Sequence, residues 1–199
     1  MMTVIFLTLV SYLIGSVPFG LLISKTQGKD IRKLGSGNIG ATNVLRCLGK
    51  PLGITCFVLD VLKGFLPAFF FPMFGNGGAD IGILFGAASI LGHNFPVFLK
   101  FKGGKGVATS AGVLLGVAPL AVVIGLLTWG IVFYATGYVS LGSIIAAVIV
   151  IITGWTVGYG SAVATALTLL GALTIWRHRS NIQRLRNGTE NKFQRKSKL

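Results

Sequence analysis

Apolar residues along this chain fall in long, nearly uncharged runs rather than in the short alternations of a soluble domain. The runs cover 3–24, 53–74, 81–99, 106–135, 139–157 and 160–176. A helix needs about 20 apolar residues to cross the hydrocarbon layer of a membrane, and the runs have that scale. Between them lie polar stretches that hold most of the Lys and Arg, at 25–50, 100–105 and 177–198. Gly82 and Gly86, at GxxxG spacing, and the run Gly15 to Gly20 suit close packing of membrane helices and need no chemistry.

The run 106–135 is too long for one span. As a single helix it would stretch about 45 Å, against a hydrocarbon core of ~30 Å. Ala118-Pro119 lies inside it, where proline disfavours a continuous helix. The pattern predicts a short helix over 105–116 and a longer one over 119–135. Charge supports the division. Cytoplasmic loops collect Lys and Arg, so all three basic stretches belong on one face, and the number of crossings between Lys105 and Arg177 must be even. The expected fold is all-α and integral to the membrane. It has seven transmembrane helices, one a short half-helix, with the N-terminus outside and the C-terminus cytoplasmic. A single tilted helix over 106–135 would give six spans and put the tail outside. The whole chain, 1–199, reads as one polytopic membrane domain, with 177–199 as a basic cytoplasmic tail.

Eighteen Lys and Arg against four acids give a net charge of +14. In a soluble domain that balance would suggest nucleic acid, but the apolar runs exclude that class, and membrane topology accounts for most of the charge. An anionic substrate is compatible with the remainder. Cys47 and Cys56 lack CxxC spacing and neighbouring His clusters, so neither a disulfide nor zinc is indicated. The N-terminus lacks the leader charge and cleavage site of a signal peptide and reads as a retained first span.

Four polar segments carry the candidate chemistry. The first, GSGNIGATNVLR at 35–46, contains GxGxxG at Gly35, Gly37 and Gly40. A dinucleotide fold would need a preceding strand, and here a membrane helix precedes. Glycine still lets backbone N–H groups turn toward an anion. Ser36, Asn38, Thr42 and Asn43 add short polar groups, and Arg46 adds a fork suited to phosphate. The second, GHNFPVFLKFKGGKGVATSAG at 92–112, misses the P-loop pattern because Gly106 follows Lys105. Gly103, Gly104, Lys105 and Gly106 nevertheless open the short half-helix, and a helix start beside a lysine is an anion site. A soluble-type acyltransferase box, His followed five positions later by Asp, is absent, since His93 is followed there by Phe98.

The third segment, YVSLGSI at 138–144, offers Ser140 and Ser143 either as helix caps or as ligand contacts. The parity count places it on the cytoplasmic face too. The fourth, WRHRSNIQRLRNGTE at 176–190, carries Arg177, His178, Arg179 and Asn181 out of the last span. Its plain reading is a basic amphipathic helix on anionic lipid. Asp60 and Lys63, at i and i+3 in the second span, read as a structural ion pair or a site component. Together the segments favour an anionic, phosphorylated substrate used at a lipid interface. Neither a metal cage nor a nucleophile triad is indicated.

These four motifs, in this order and over essentially the whole chain, resemble the bacterial membrane glycerol-3-phosphate acyltransferases that use acyl-phosphate as donor. The resemblance implies transfer of a fatty acyl group to the 1-hydroxyl of glycerol 3-phosphate, giving 1-acyl-glycerol 3-phosphate (lysophosphatidate) and phosphate. It implies no cofactor, no acyl-CoA and no acyl carrier protein. The place would be the bacterial cytoplasmic (inner) membrane, with the active site facing the cytoplasm. The family's functional positions fall on Ser36, Thr42, Arg46, Lys105, Ser143, His178 and Asn181, with His93 in the second motif as catalyst or as loop hinge. The Gly and Asn positions of the first motif, Gly37, Asn38, Gly40 and Asn43, are matched as well and join Gly103, Gly104 and Gly106 as the expected phosphate-binding positions, and Ile39 stands where many relatives have proline. Two other classes share the phosphate chemistry. A transporter would need access from both faces, and a lipid phosphatase would need a nucleophile such as a paired histidine.

Overall fold

The computed structural model describes residues 1–74 and 78–193, so the end of the basic tail, 194–199, lies outside the described residues. Every regular element among them is helical: α1 (Met2–Ser16), α2 (Phe19–Thr26), α3 (Ala41–Leu48), α4 (Lys50–Phe70), α5 (Ala79–Asn94), α6 (Val107–Val117), α7 (Pro119–Thr136), α8 (Val139–Thr156), α9 (Gly160–Arg177) and α10 (Arg179–Arg186). Six stretches among the described residues are long and apolar enough to cross a membrane, and α6 is a shorter apolar helix. Their outward faces carry Leu9, Phe57, Leu127 and Ile131, each about half exposed or more. That is the inverse of a soluble surface and fits a lipid solvent.

The expected break at Ala118-Pro119 is present, and α6 and α7 end and begin on either side of it. Two other boundaries differ from the hydropathy reading. The first run is split into α1 and α2, because Pro18 cannot donate a helix bond and holds Val17 extended, at φ −63° and ψ 117°. The first polar motif is half helical. Ala41–Leu48 forms α3, which turns Asn43 and Val44 inward and ends at Gly49 with φ 93°, a conformation glycine adopts without strain.

Two compact units divide the chain, Met1–Pro119 and Leu120–Leu199. In the first, α4 and α6 run side by side in the same direction. Gly64 lies on the Thr109 carbonyl, Gly112 on the Val61 carbonyl, and Gly116 on Ala68 and Phe69. Helix α5 runs the opposite way, with Gly82 on the Ala68 carbonyl and Gly86 on Val113. Small residues at these crossings let backbones approach closely, which is how membrane helices associate where lipid removes the hydrophobic drive. The register has a consequence for function. Helix α6 starts level with the middle of α4, so the turn before it dips along half of that helix.

The polypeptide between α2 and α4 has its own small core of Leu21, Ile31, Ile39, Val44 and Cys56, with Leu99 of the second motif packed on it. Asp30 caps the short turn Ile31–Lys33, accepting from the Arg32 N–H at 3.0 Å. In the second unit, Gly142 of α8 faces Trp129 of α7, and Gly154 and Gly171 carry the contact between α8 and α9. The Tyr159 hydroxyl accepts from the N–H groups of Leu120 and Ala121 at 3.1 and 3.2 Å, satisfying the start of α7.

Candidate active site

The first motif is organised by Asn43. Its Nδ2 donates to the carbonyls of Asn38 (2.8 Å), Leu34 (3.0 Å) and Ile31 (3.3 Å), and its Oδ1 accepts from the Ser36 N–H at 2.9 Å. The side chain is buried. Asn43 therefore shapes the loop, while Thr42 and Arg46, one turn apart on α3, lie on its partly open face. Ser36 is exposed at the loop's crest.

The glycine amides are arranged differently from the expected nest. Gly37 N–H donates to the Leu34 carbonyl (2.9 Å), Gly103 N–H to the Asn94 carbonyl (3.2 Å) and Gly104 N–H to the His93 carbonyl (3.1 Å). The Gly40 N–H donates to Asn38 Oδ1 at 2.8 Å. These four N–H groups are taken up in holding the two turns in shape. Each turn closes on its own backbone, and Gly104, the buried one of the four, would otherwise leave its N–H without a partner. The N–H groups that helix geometry leaves outside the ladder are those at the starts of α3 (Ala41, Thr42) and α6 (Val107, Ala108). Gly106, with φ 79°, is the residue that opens α6, and its Cα lies against the Asn94 amide.

Lys105, half-buried, stands in the turn between α5 and α6. His93 is buried at the end of α5, where Gly104 packs against its Nε2 edge and its Nδ1 stands 3.7 Å from Asp60 Oδ1. Asp60 in turn pairs with Lys63 at 2.8 Å, both fully enclosed. The structure thus joins the second motif to a pair in the middle of α4.

In the second unit, the third and fourth motifs meet through Glu190. Its Oε1 accepts from the Ser140 hydroxyl (2.7 Å) and from Asn181 Nδ2 (2.6 Å), and its Oε2 accepts from Arg184 Nε (2.7 Å). Burial alone would push this carboxyl up. The hydrogen bonds from Ser140, Asn181 and Arg184 outweigh it and hold Glu190 below the usual carboxylate range. The chain then returns along the connection between α7 and α8, where Phe193 N–H donates to the Gly137 carbonyl at 3.0 Å. Ser143 is one turn after Ser140 and donates to the Val139 carbonyl at 2.9 Å. His178 sits at the junction of α9 and α10, buried, with Nδ1 2.8 Å from the Thr174 carbonyl. A carbonyl only accepts, so Nδ1 carries a proton and donates it to Thr174.

Sequence reasoning missed Glu190 and the roles of Ser140 and Arg184. A signal was present: the chain has only four acids, Asp30, Asp60, Asp80 and Glu190, and the last stands alone in a strongly basic tail. An isolated carboxylate among cations is a natural hub for charge-assisted hydrogen bonds.

Comparison with known proteins gives one answer. The family model described as glycerol-3-phosphate acyltransferase matches residues 5–188, across both units. The glycerol-3-phosphate acyltransferase of Aquifex aeolicus is 46% identical over 194 residues, covering 96% of this chain and 100% of the relative. That of Geobacter sulfurreducens is 44% identical, covering 97% and 99%. A crystal structure of PlsY, an integral membrane glycerol 3-phosphate acyltransferase, in its glycerol 3-phosphate form matches with a TM-score of 0.92 at 44% identity, covering 96% of each chain. Its lysophosphatidic acid form matches with a TM-score of 0.89. Matching in sequence from end to end and in fold at this level, the chain belongs to the glycerol-3-phosphate acyltransferase family of integral membrane proteins.

Proposed function

We propose that this protein transfers a fatty acyl group from acyl-phosphate to the 1-hydroxyl of glycerol 3-phosphate, releasing 1-acyl-glycerol 3-phosphate and phosphate as the first step of phospholipid synthesis. The observation that carries the acceptor and the product is the likeness, over 96% of the chain, to PlsY in its glycerol 3-phosphate and lysophosphatidic acid forms. The donor is supported by the motifs, which offer cations and helix starts for a phosphate leaving group.

In the reaction the glycerol hydroxyl oxygen bonds to the acyl carbon, and the bond from that carbon to the bridging phosphate oxygen breaks. The hydroxyl proton passes to the acceptor's own phosphate. Arg46, Lys105, Ser36, Thr42 and the starts of α3 and α6 hold the phosphates and neutralise the charge developing on the leaving group. Ser143, His178 and Asn181 orient the glycerol. An acyl-phosphate is already activated, so positioning and charge neutralisation supply the catalysis. His93 supports the turn that carries Lys105, and Asn38, Asn43, Gly37, Gly40, Gly103, Gly104 and Gly106 give the phosphate-binding turns their shape.

The proposed topology is seven crossings of the bacterial inner membrane, N-terminus outside, with the motifs and the basic tail on the cytoplasmic face. Six long apolar helices and the short α6 support it, as does the distribution of Lys and Arg. Accessibility of tags at 118 and 137 tests the topology, which requires opposite faces. Purified protein supplied with glycerol 3-phosphate and either acyl-phosphate, acyl-CoA or acyl carrier protein tests the reaction. Lysophosphatidate formed from acyl-phosphate alone supports the proposal. Comparable product from acyl-CoA overturns the donor, and phosphate release without acylated acceptor points to a hydrolase.

A further inference from the structure

Asp60 and Lys63 belong to none of the four motifs, yet they are among the most enclosed charged groups of the first unit, at 2% and 3% exposure. Asp60 is the eleventh residue of the 21-residue α4, far from either helix end. A buried ion pair gives weak stability, because well-packed apolar residues of the same volume do as well or better. Ionisable residues at such depth in a membrane helix usually serve a function. Their remaining contacts indicate which one.

Lys63 Nζ donates to the Val17 carbonyl at 2.8 Å, at the place where Pro18 interrupts the first span. It also lies 5.5 Å from the centre of the Phe19 ring. The lysine therefore ties the break between α1 and α2 to α4. Asp60 faces the other way: the same Oδ1 that receives Lys63 stands 3.7 Å from His93 Nδ1. At that distance the carboxylate orients the ring by its field, and a small rotation makes a hydrogen bond. On the far edge of the imidazole, Nε2 abuts Gly104, where a Cβ would collide with it. The His93 and Asn94 carbonyls hold the Gly104 and Gly103 N–H groups. Lys105 is the next residue. A continuous line of contacts thus runs from Val17 through Lys63, Asp60 and His93 to the turn before α6.

We infer that Asp60 and Lys63 are positioning residues that set the orientation of His93 and, through it, the 103–106 turn presenting Lys105. The inference rests on the phosphate role proposed for Lys105. The carboxylate keeps the proton on Nδ1 and fixes the ring plane, as an outer carboxylate does for a metal-bound histidine. Ring and turn then move as one body.

The test uses the full-length protein in detergent. Asp60→Leu/Lys63→Met removes both charges at similar volume. It is expected to melt within a few degrees of the wild type and to lose at least tenfold in kcat/KM. Asp60→Asn and His93→Gln are each expected to lose activity, and the double variant Asp60→Asn/His93→Gln to be no worse than the poorer single one. Asp60→Glu, which keeps the carboxylate, should restore part of the loss. A stable, fully active neutral pair, or losses that simply multiply, would overturn the inference and leave the pair a packing element.

A readout without turnover stands beside these. The chain has two histidines, His93 and His178, so ring nitrogen resonances of labelled protein are assigned with one His178→Asn sample. Asp60→Asn should move the His93 Nδ1 resonance and leave His178 in place. An unchanged His93 spectrum refutes the inference whatever the donor. Failure of the wild type to use acyl-phosphate refutes the proposed reaction, and the resonances still decide the positioning role.

Discussion

Replacing Glu190 by alanine removes the acceptor shared by Ser140, Asn181 and Arg184. Ser140 and Asn181 are buried, at 6% and 5% exposure, so water does not readily replace the lost carboxylate. Each buried donor left without a partner costs about 1–3 kcal/mol. Arg184 is one-third exposed at its side chain and rehydrates, adding less than ~1 kcal/mol. The sum is about 2–7 kcal/mol, a large share of the stability of any small unit. Glu190→Gln keeps one acceptor oxygen but sets an amide N–H against Arg184, and is expected to fall between. The assay is thermal melting in detergent beside acyl transfer at a temperature where both variants are folded. The expected order of melting temperature is wild type, Gln, Ala, with a fall of several degrees at least for Ala.

The same contacts fix a pH dependence. Glu190 has its pKa held below the ordinary 4.5, so its stabilisation is complete above that value and is lost as pH falls through the lower native one. Wild type should lose stability more steeply than Glu190→Gln below pH 4.5. Equal melting temperatures for wild type and Glu190→Ala, or identical acid limbs, would refute the reasoning.

Further outcomes follow from the first unit. Lys105→Ala and Arg46→Ala should each lower kcat/KM by about 100-fold or more, the scale for a lost charge-stabilising group, while circular dichroism stays unchanged. Asn43→Ala removes the donor to three carbonyls and the acceptor of the Ser36 N–H. It should raise the KM for substrate through a loosened loop, and greater proteolysis between 31 and 43 is the check. Gly64→Leu drives a side chain into the Thr109 carbonyl and separates α4 from α6. Overpacking of this kind costs about 1–3 kcal/mol or more, and the yield of folded protein in detergent should fall, whereas Gly130→Leu, whose Cβ would meet nothing, should be tolerated.

The sequence by itself determined the elements whose causes are local. Apolar runs set where helices lie, because lipid forces every backbone group to bond within its own segment. Pro119 set the division between α6 and α7, because a missing N–H acts at its own position. Motif composition indicated phosphate chemistry, because Arg, Lys and helix starts act through charge and geometry carried within a few residues. Only the tertiary structure decided which of those groups are engaged elsewhere. Asn43 and the N–H groups of Gly37, Gly40, Gly103 and Gly104 hold the turns together, and nothing in their spacing distinguishes a framework bond from a ligand bond. Glu190 reaches Ser140 across 50 residues of chain, and Asp60 meets His93 through the pairing of two helices. Contacts of that kind depend on helix register and crossing, which no local pattern encodes.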